Sequence, residues 1–229
     1  MTDLKIPYVE KLHDQPKGLF FIMHGHFGNK TFSNFLGLAD KIFDLGYDVV
    51  SVDAYKHGDR KAVPYFENDP VLTTIEMLTV IEHTLSDIVY LYKTNYQNRT
   101  DKVSIVGTSM GGHIAYLLNR YLPIEFCIPI IGTPNLGLHY ETKKKKILKE
   151  RYTLIEEQVN RLTLKKEEFT PRFAFALQGD YDDTVSKEPS KAFIESFRKE
   201  QYIYKSYPCG HDLTQEMIED IIQYVRMKV

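Results

Sequence analysis

Ser109 lies between glycines in Gly107-Thr108-Ser109-Met110-Gly111, and its neighbours decide whether its hydroxyl can act as a nucleophile. An apolar run containing Val103, Ile105 and Val106 precedes it and reads as a buried strand; a helical pattern follows over residues 113–122. Strand, sharp turn and helix are the context that a G-x-S-x-G motif needs, because a strained turn lifts the serine hydroxyl above a sheet. Glycines two residues to either side remove side chains that would collide there. The N–H groups at the start of the helix, and its positive dipole end, face the spot where an oxyanion would form. A serine hydroxyl is a poor nucleophile until a base takes its proton. An imidazole, which ordinarily titrates near ~6.5, suits that task at neutral pH, and a carboxylate must hold its other nitrogen. The bare motif recurs by chance, so its weight comes from such partners elsewhere in the chain.

The elements that would position those partners follow from apolar patterning. Residues 19–23 form a continuous apolar run that ends at His24-Gly25-His26-Phe27-Gly28, a strand with a loop at its C-terminal end. The spacing of Phe35, Leu38, Ile42 and Leu45 predicts a helix over 31–45 stopped by Gly46. Residues 47–55 read as the next strand, leading into the loop Tyr55-Lys56-His57-Gly58-Asp59-Arg60, and a polar segment then reaches Pro70. A long apolar stripe predicts a helix over 71–96, and 126–131 is a further strand in which Pro129, lacking an N–H, points to an edge or a bulge. Residues 173–177 and 202–207 are strands, 189–200 a helix, and 214–228 a closing helix capped by Thr214. Strands alternating with helices predict an α/β fold: a mostly parallel sheet with helices on both faces. Chemistry then gathers at the C-terminal ends of the strands. Every loop named above lies at such an end, as do 179–185 and 208–212.

Residues 135–168 break the rhythm. They are highly charged, include Lys143 to Lys146, and carry Leu148, Tyr152, Ile155, Val159 and Leu162 at alternating spacings. That pattern predicts a small helical insertion whose apolar stripe packs on the body of the protein or on a second subunit, giving a homo-oligomer, with the lysines solvated. The whole chain of 229 residues then reads as one domain carrying this insertion. Composition is ordinary for a soluble protein, 43% hydrophobic and 26% charged with a net charge of −2, which argues against a nucleic-acid or membrane surface. No apolar run is long enough to span a bilayer, and the N-terminal stretch lacks the apolar core of a secretory signal, so the cytoplasm is the expected compartment. Cys127 and Cys209 read as reduced core residues.

Four features together make the sequence resemble the α/β-hydrolase family over nearly its whole length. They are His24-Gly25 after the first long strand, Gly107 to Gly111, Gly179 to Val185 and Gly210-His211. The order of serine, acid and histidine is the one the family's triad requires. The loop from Tyr55 to Arg60 and the small size are similar to compact bacterial esterases of the dienelactone-hydrolase and prolyl-oligopeptidase-like group. The family's N-terminal antiparallel strands look shortened or missing here, because only residues 1–17 precede the first long strand. The resemblance implies Ser109 as nucleophile and His211 as base. Its pattern of glycine, two residues, acid, two residues and valine selects Asp182 as the orienting carboxylate over the adjacent Asp183. Backbone N–H groups of Met110 and His26 would hold the oxyanion, Phe27 and Tyr55 would line the substrate pocket, and His57 would either line it too or only tie down the loop after the second strand.

The expected activity is hydrolysis of a small carboxylic ester through an acyl-enzyme, without a cofactor. A thioester, an amide or a peptide would suit the same machinery, and a non-catalytic ligand receptor on this scaffold is the reading from another class; a complete triad argues against that one. A zinc site built from His24, His26 and the aspartates near Asp182 would leave the turn at Ser109 unexplained, so no metal is expected. His24 reads as a loop-organising residue, His113 as packing beside the turn, Arg60 as structural, and His13, His83 and His139 as carrying no signal above surface histidines. The insertion offers one narrow apolar stripe as a roof, which predicts short acyl groups over long lipid chains.

Overall fold

The computed structural model describes residues 5–61, 70–143 and 153–228. The apolar runs are strands: β1 (Tyr8–Lys11), β2 (Leu19–Met23), β3 (Asp48–Val52), β4 (Val103–Thr108), β5 (Ile124–Ile130), β6 (Phe173–Gly179) and β7 (Tyr202–Tyr207). Between them run α1 (Leu38–Asp44), α2 (Pro70–Leu91), α3 (Met110–Leu117), α4 (Leu136–Lys143), α5 (Thr153–Arg161), α6 (Lys187–Glu195) and α7 (Gln215–Met227). The sheet order is β1-β3-β2-β4-β5-β6-β7, parallel throughout except for β1, which is antiparallel to β3.

Every residue of β2 and β3 is buried, as strands covered on both faces must be. Along β2 the side chains alternate between two cores. Leu19, Phe21 and Met23 join a core built with α2, α3, α5 and α6, whereas Phe20 and Ile22 join one built with α1 and α7. The chain leaves β2 toward β3 on one side, while β4, on the other side of β2, leads away to β5. The crevice between the C-terminal ends of β2 and β4 is therefore the switch point where a doubly wound sheet binds ligands.

Several expectations change in detail. Residues 1–17 are more than a lead-in, since β1 lies within them and keeps one antiparallel strand. The helix over 31–45 is split: a 3-10 turn over Phe32–Gly37 ends at Gly37 (φ 74°) before α1 begins, and Gly46 (φ 95°) follows α1 as expected. The helix over 71–96 ends in a π-helical turn at Tyr92–Tyr96. Pro129 is not on an edge strand: β5 lies between β4 and β6, with Pro129 opposite Gly107. Its ladder to β6 pairs at Phe126, Cys127 and Ile130 and is interrupted around Pro129, as a residue without an N–H requires. The register shift on the β4 side falls near Val103 and Ile105 instead.

The segment 135–168, expected to be an insertion, holds α4 and α5. Ile155, Val159 and Leu162 are buried in the α2-side core, so the stripe packs on the body of the protein. Gln158 and Arg161 tie the same helix to Glu82 of α2, each at 3.0 Å. Leu148, Tyr152, Lys144 to Lys146 and the segment 62–69 lie outside the described residues. Cys127 is buried and Cys209 partly so, both as free thiols. Among the described residues no helix is long and apolar enough to cross a membrane.

Candidate active site

Ser109 occupies the turn between β4 and α3 with φ 55° and ψ −113°. A non-glycine residue rarely adopts a positive φ, so the strain must be held by its surroundings. The Ser109 N–H donates to the Ile130 carbonyl at 2.8 Å, and the Ser109 carbonyl accepts from His113 N–H at 3.1 Å to open α3. The flanking glycines are obligatory for the closeness of this packing. A Cβ on Gly107 would lie 2.2 Å from the Gly111 carbonyl oxygen, and one on Gly111 would lie 2.4 Å from that of Met23. The motif therefore brings β2, β4 and α3 into backbone contact at the serine.

His211 and Asp182 reach the same place from the far side of the sheet. His211 Nε2 is 2.8 Å from Ser109 Oγ, and His211 Nδ1 is 2.8 Å from Asp182 Oδ2. The Asp182 side chain is fully buried, and its Oδ1 accepts from the N–H groups of Thr184 and Val185, both at 2.8 Å. Burial alone would raise its pKa. The His211 contact and the two backbone donors outweigh that and hold it below the usual carboxylate value. Asp183 is exposed and contacts the Thr184 hydroxyl. Close packing between the two loops fixes the separation, since a Cβ on Gly179 would lie 2.2 Å from the Gly210 carbonyl oxygen.

The loop after β2 is anchored to the end of β3. The fully buried Asp53 carboxylate accepts from Lys30 N–H at 2.7 Å, from Lys30 Nζ at 3.0 Å and from Asp59 N–H at 2.9 Å. Burial pushes its pKa up, and these donors bring it below the ordinary value. His24, 2% exposed, spans the same gap: its Nδ1 meets the Gly25 carbonyl at 2.7 Å and its Nε2 accepts from Ala54 N–H at 3.1 Å. A donor at Nδ1 and an acceptor at Nε2 describe a neutral imidazole. Burial accordingly lowers its pKa to about 4. The loop so fixed carries His26 and Phe27. Both line the cavity beside Ser109, as does Met110, the first residue of α3.

That cavity has a volume of about 690 Å³ and reaches Ser109, His211 and Thr184. Phe27, held at φ 65°, stands 70% exposed at its rim. Tyr55, expected to line the pocket, and His57, for which that was one of two expected roles, are not among its lining residues. Tyr55 stacks on His83 at 4.4 Å under the Arg60 guanidinium, and the buried His57 packs 5.3 Å from the His24 ring and 5.5 Å from that of His26. Arg60 pairs with Asp87, the structural role expected of it. Thr73, Met77, His113 and His139 line the cavity from α2, α3 and α4, and Leu38 from α1. Sequence patterning does not reveal these positions, because they are spread over four helices and only the fold makes them converge. Among the described residues no group of three or more His, Cys, Asp or Glu side chains is arranged to hold a metal ion.

Comparison with known proteins follows the same lines. The chain is similar over 97% of its length to TT1662 from Thermus thermophilus, with 93% of that chain covered, 18% identity and a TM-score of 0.72. It is similar to Est1E from Butyrivibrio proteoclasticus, solved with ferulic acid bound, over 97% of this chain and 93% of that one, at 18% identity and a TM-score of 0.63. It also resembles an acetyl xylan esterase from Paenibacillus sp. R4 over 97% of this chain and 80% of that one, at 15% identity and a TM-score of 0.65. At such identities these likenesses establish the fold. No match is found among curated proteins. The model of the dienelactone hydrolase family, however, matches residues 8–225, nearly the whole chain and every loop that converges on Ser109, so this α/β-hydrolase belongs to that family of hydrolases.

Proposed function

We propose that the protein is a serine hydrolase that cleaves a small carboxylic ester through an acyl-enzyme. The observation that carries this reading is the unbroken chain of contacts from Ser109 Oγ to His211 and on to Asp182, each 2.8 Å long. His211 Nε2 takes the hydroxyl proton as Ser109 Oγ bonds to the ester carbonyl carbon. Asp182 holds Nδ1–H and stabilises the imidazolium. The carbonyl oxygen, now an oxyanion, is held by the backbone N–H groups of Met110 and His26. Collapse of this intermediate breaks the ester C–O bond, and His211 returns the proton to the leaving alkoxide. Water then attacks the acyl-enzyme with His211 again as base, releasing the carboxylic acid and restoring Ser109. Structural neighbours described as esterases, two of them acetyl xylan esterases, favour an ester over other acyl compounds.

The test is labelling by a fluorophosphonate probe together with hydrolysis of p-nitrophenyl acetate. Wild-type protein should be labelled and active, and Ser109→Ala should be neither. Absence of labelling in the folded wild-type protein, or labelling that survives in Ser109→Ala, would overturn the reading.

A further inference from the structure

The turn beside Ser109 carries a residue that its own geometry disfavours. Gly25 to Gly28 form a tight turn, closed by the Gly28 N–H donating to the Gly25 carbonyl at 3.1 Å. Phe27 is the third residue of that turn and has φ 65°, a positive value that His26, the second, does not share. This is the pattern of a type II turn, whose third position calls for glycine. A bulky side chain there is strained. The same ring stands 70% exposed. Neither the strain nor the exposure favours folding. The turn is nevertheless pinned: His24 Nδ1 holds the Gly25 carbonyl at 2.7 Å, and a Cβ on Gly25 would lie 3.4 Å from that of Ser109. Phe27 is thereby fixed at the rim of the cavity, two residues from backbone that packs against the nucleophile, with its ring 3.9 Å from that of His26.

A backbone outlier in the wall of a cavity points to what the cavity holds. Among the described lining residues Phe27 is the only benzene ring. A flat apolar face that meets solvent gains most from a second flat face, because two aromatic rings in offset or edge contact attract beyond the area they bury. We infer that Phe27 is a specificity-determining residue, and that the substrate is an ester bearing an aromatic ring which packs on Phe27 while its carbonyl lies at Ser109. This inference rests on the serine-hydrolase reading of the same site. The ring contact is made before the reaction as well as during it, so it lowers KM more than it raises kcat.

Two matched pairs place the ring on either half of the ester: benzyl acetate against propyl acetate, and methyl phenylacetate against methyl butyrate. Wild type, Phe27→Tyr, Phe27→Leu and Phe27→Gly are measured for kcat/KM, with circular dichroism as the control for folding. Wild type should prefer the ring-bearing ester in at least one pair. That ratio should fall roughly three- to tenfold in Phe27→Leu and Phe27→Gly, mostly through KM, and persist in Phe27→Tyr. If Phe27→Gly does not fold, Phe27→Leu, which keeps apolar bulk without a flat face, decides by the same ratio. A wild-type protein with no ring preference in either pair would overturn the inference while leaving the serine hydrolase intact. Folded variants whose ratios stay at the wild-type value, or which lose ring-bearing and aliphatic esters equally, would do the same, since the ring would then serve only the turn. A wild-type protein that the fluorophosphonate probe does not label would instead remove the reading on which the inference rests.

Discussion

Asp182 and Asp183 are neighbours of identical chemistry, and the difference between them is entirely one of surroundings. The Asp182 carboxylate is buried, accepts two backbone N–H groups on one oxygen and meets His211 on the other. Asp183 faces solvent. Replacing Asp182 by Asn keeps the shape but puts an amide opposite His211 Nδ1, which favours the wrong tautomer and can cost on the order of 10⁴ in kcat. Asp183→Asn should change the rate less than about twofold, as expected of a surface site. Steady-state hydrolysis by the two variants under identical conditions checks this; a crippled Asp183→Asn beside an active Asp182→Asn would reverse the assignment. Ser109→Ala and His211→Ala should each reduce turnover about as far as the double variant does, because members of such a chain act as a unit.

At the scale of elements, the loop after β2 is held less by its own sequence than by Asp53 at the end of β3. Asp53→Asn removes the charge that Lys30 faces in a buried position and should lower stability by about 1–3 kcal/mol. It should also lower kcat more than it changes KM, because in the proposed mechanism the His26 N–H holds the oxyanion and this loop positions it. Denaturant titration and steady-state kinetics measure both effects; a wild-type kcat would mean that the anchor is dispensable. The strands and the loops at their ends were legible in the sequence, since strands buried on both faces are written as apolar runs and the glycines mark close backbone approaches. β1 was not legible: Tyr8–Lys11 is short, mostly exposed and defined only by its pairing with β3. Pro129 misled for a related reason, because a strand can tolerate one missing donor in its interior when the rest of the ladder is intact. The motifs and the spacing that the resemblance supplies put Ser109, Asp182 and His211 at neighbouring strand ends, and the fold brings them within 2.8 Å of one another in turn. The cavity wall did not, because Leu38, Thr73 and His139 are brought together by helix packing and carry no local signature. Tyr55 and His57 sat at the right strand end but on the supporting side of the loop.

For the molecule as a whole, the site lies over a cluster of histidines that fold in the neutral form. Burial lowers His24 to about 4, burial and the adjacent His57 lower His26 to about 4, and burial also lowers His57. For a base with a depressed folded-state pKa, the unfolded chain binds the proton first, near ~6.5. Stability should thus be greatest above that pH and fall as pH drops from there toward about 4, where the folded state begins to take up the proton as well. For His24 the full loss is about 3 kcal/mol, because each pH unit between the unfolded and folded titrations is worth roughly 1.4 kcal/mol. Geometry gives the same sign, because a proton on His24 Nε2 would confront the Ala54 N–H that now donates to it. Asp53 and Asp182, with lowered pKa values, contribute stability that is lost only as pH falls below the ordinary carboxylate value and through their folded values. Acidification should therefore destabilise the protein in two stages, histidines first and carboxylates second. Thermal melts from pH 8 to pH 3 should show a decline in Tm that begins well before carboxylates titrate. In His24→Gln, less stable at pH 8 but without the titrating ring, the slope between about pH 6.5 and pH 4 should be shallower. An unchanged slope in that variant would show that the first stage comes from other groups.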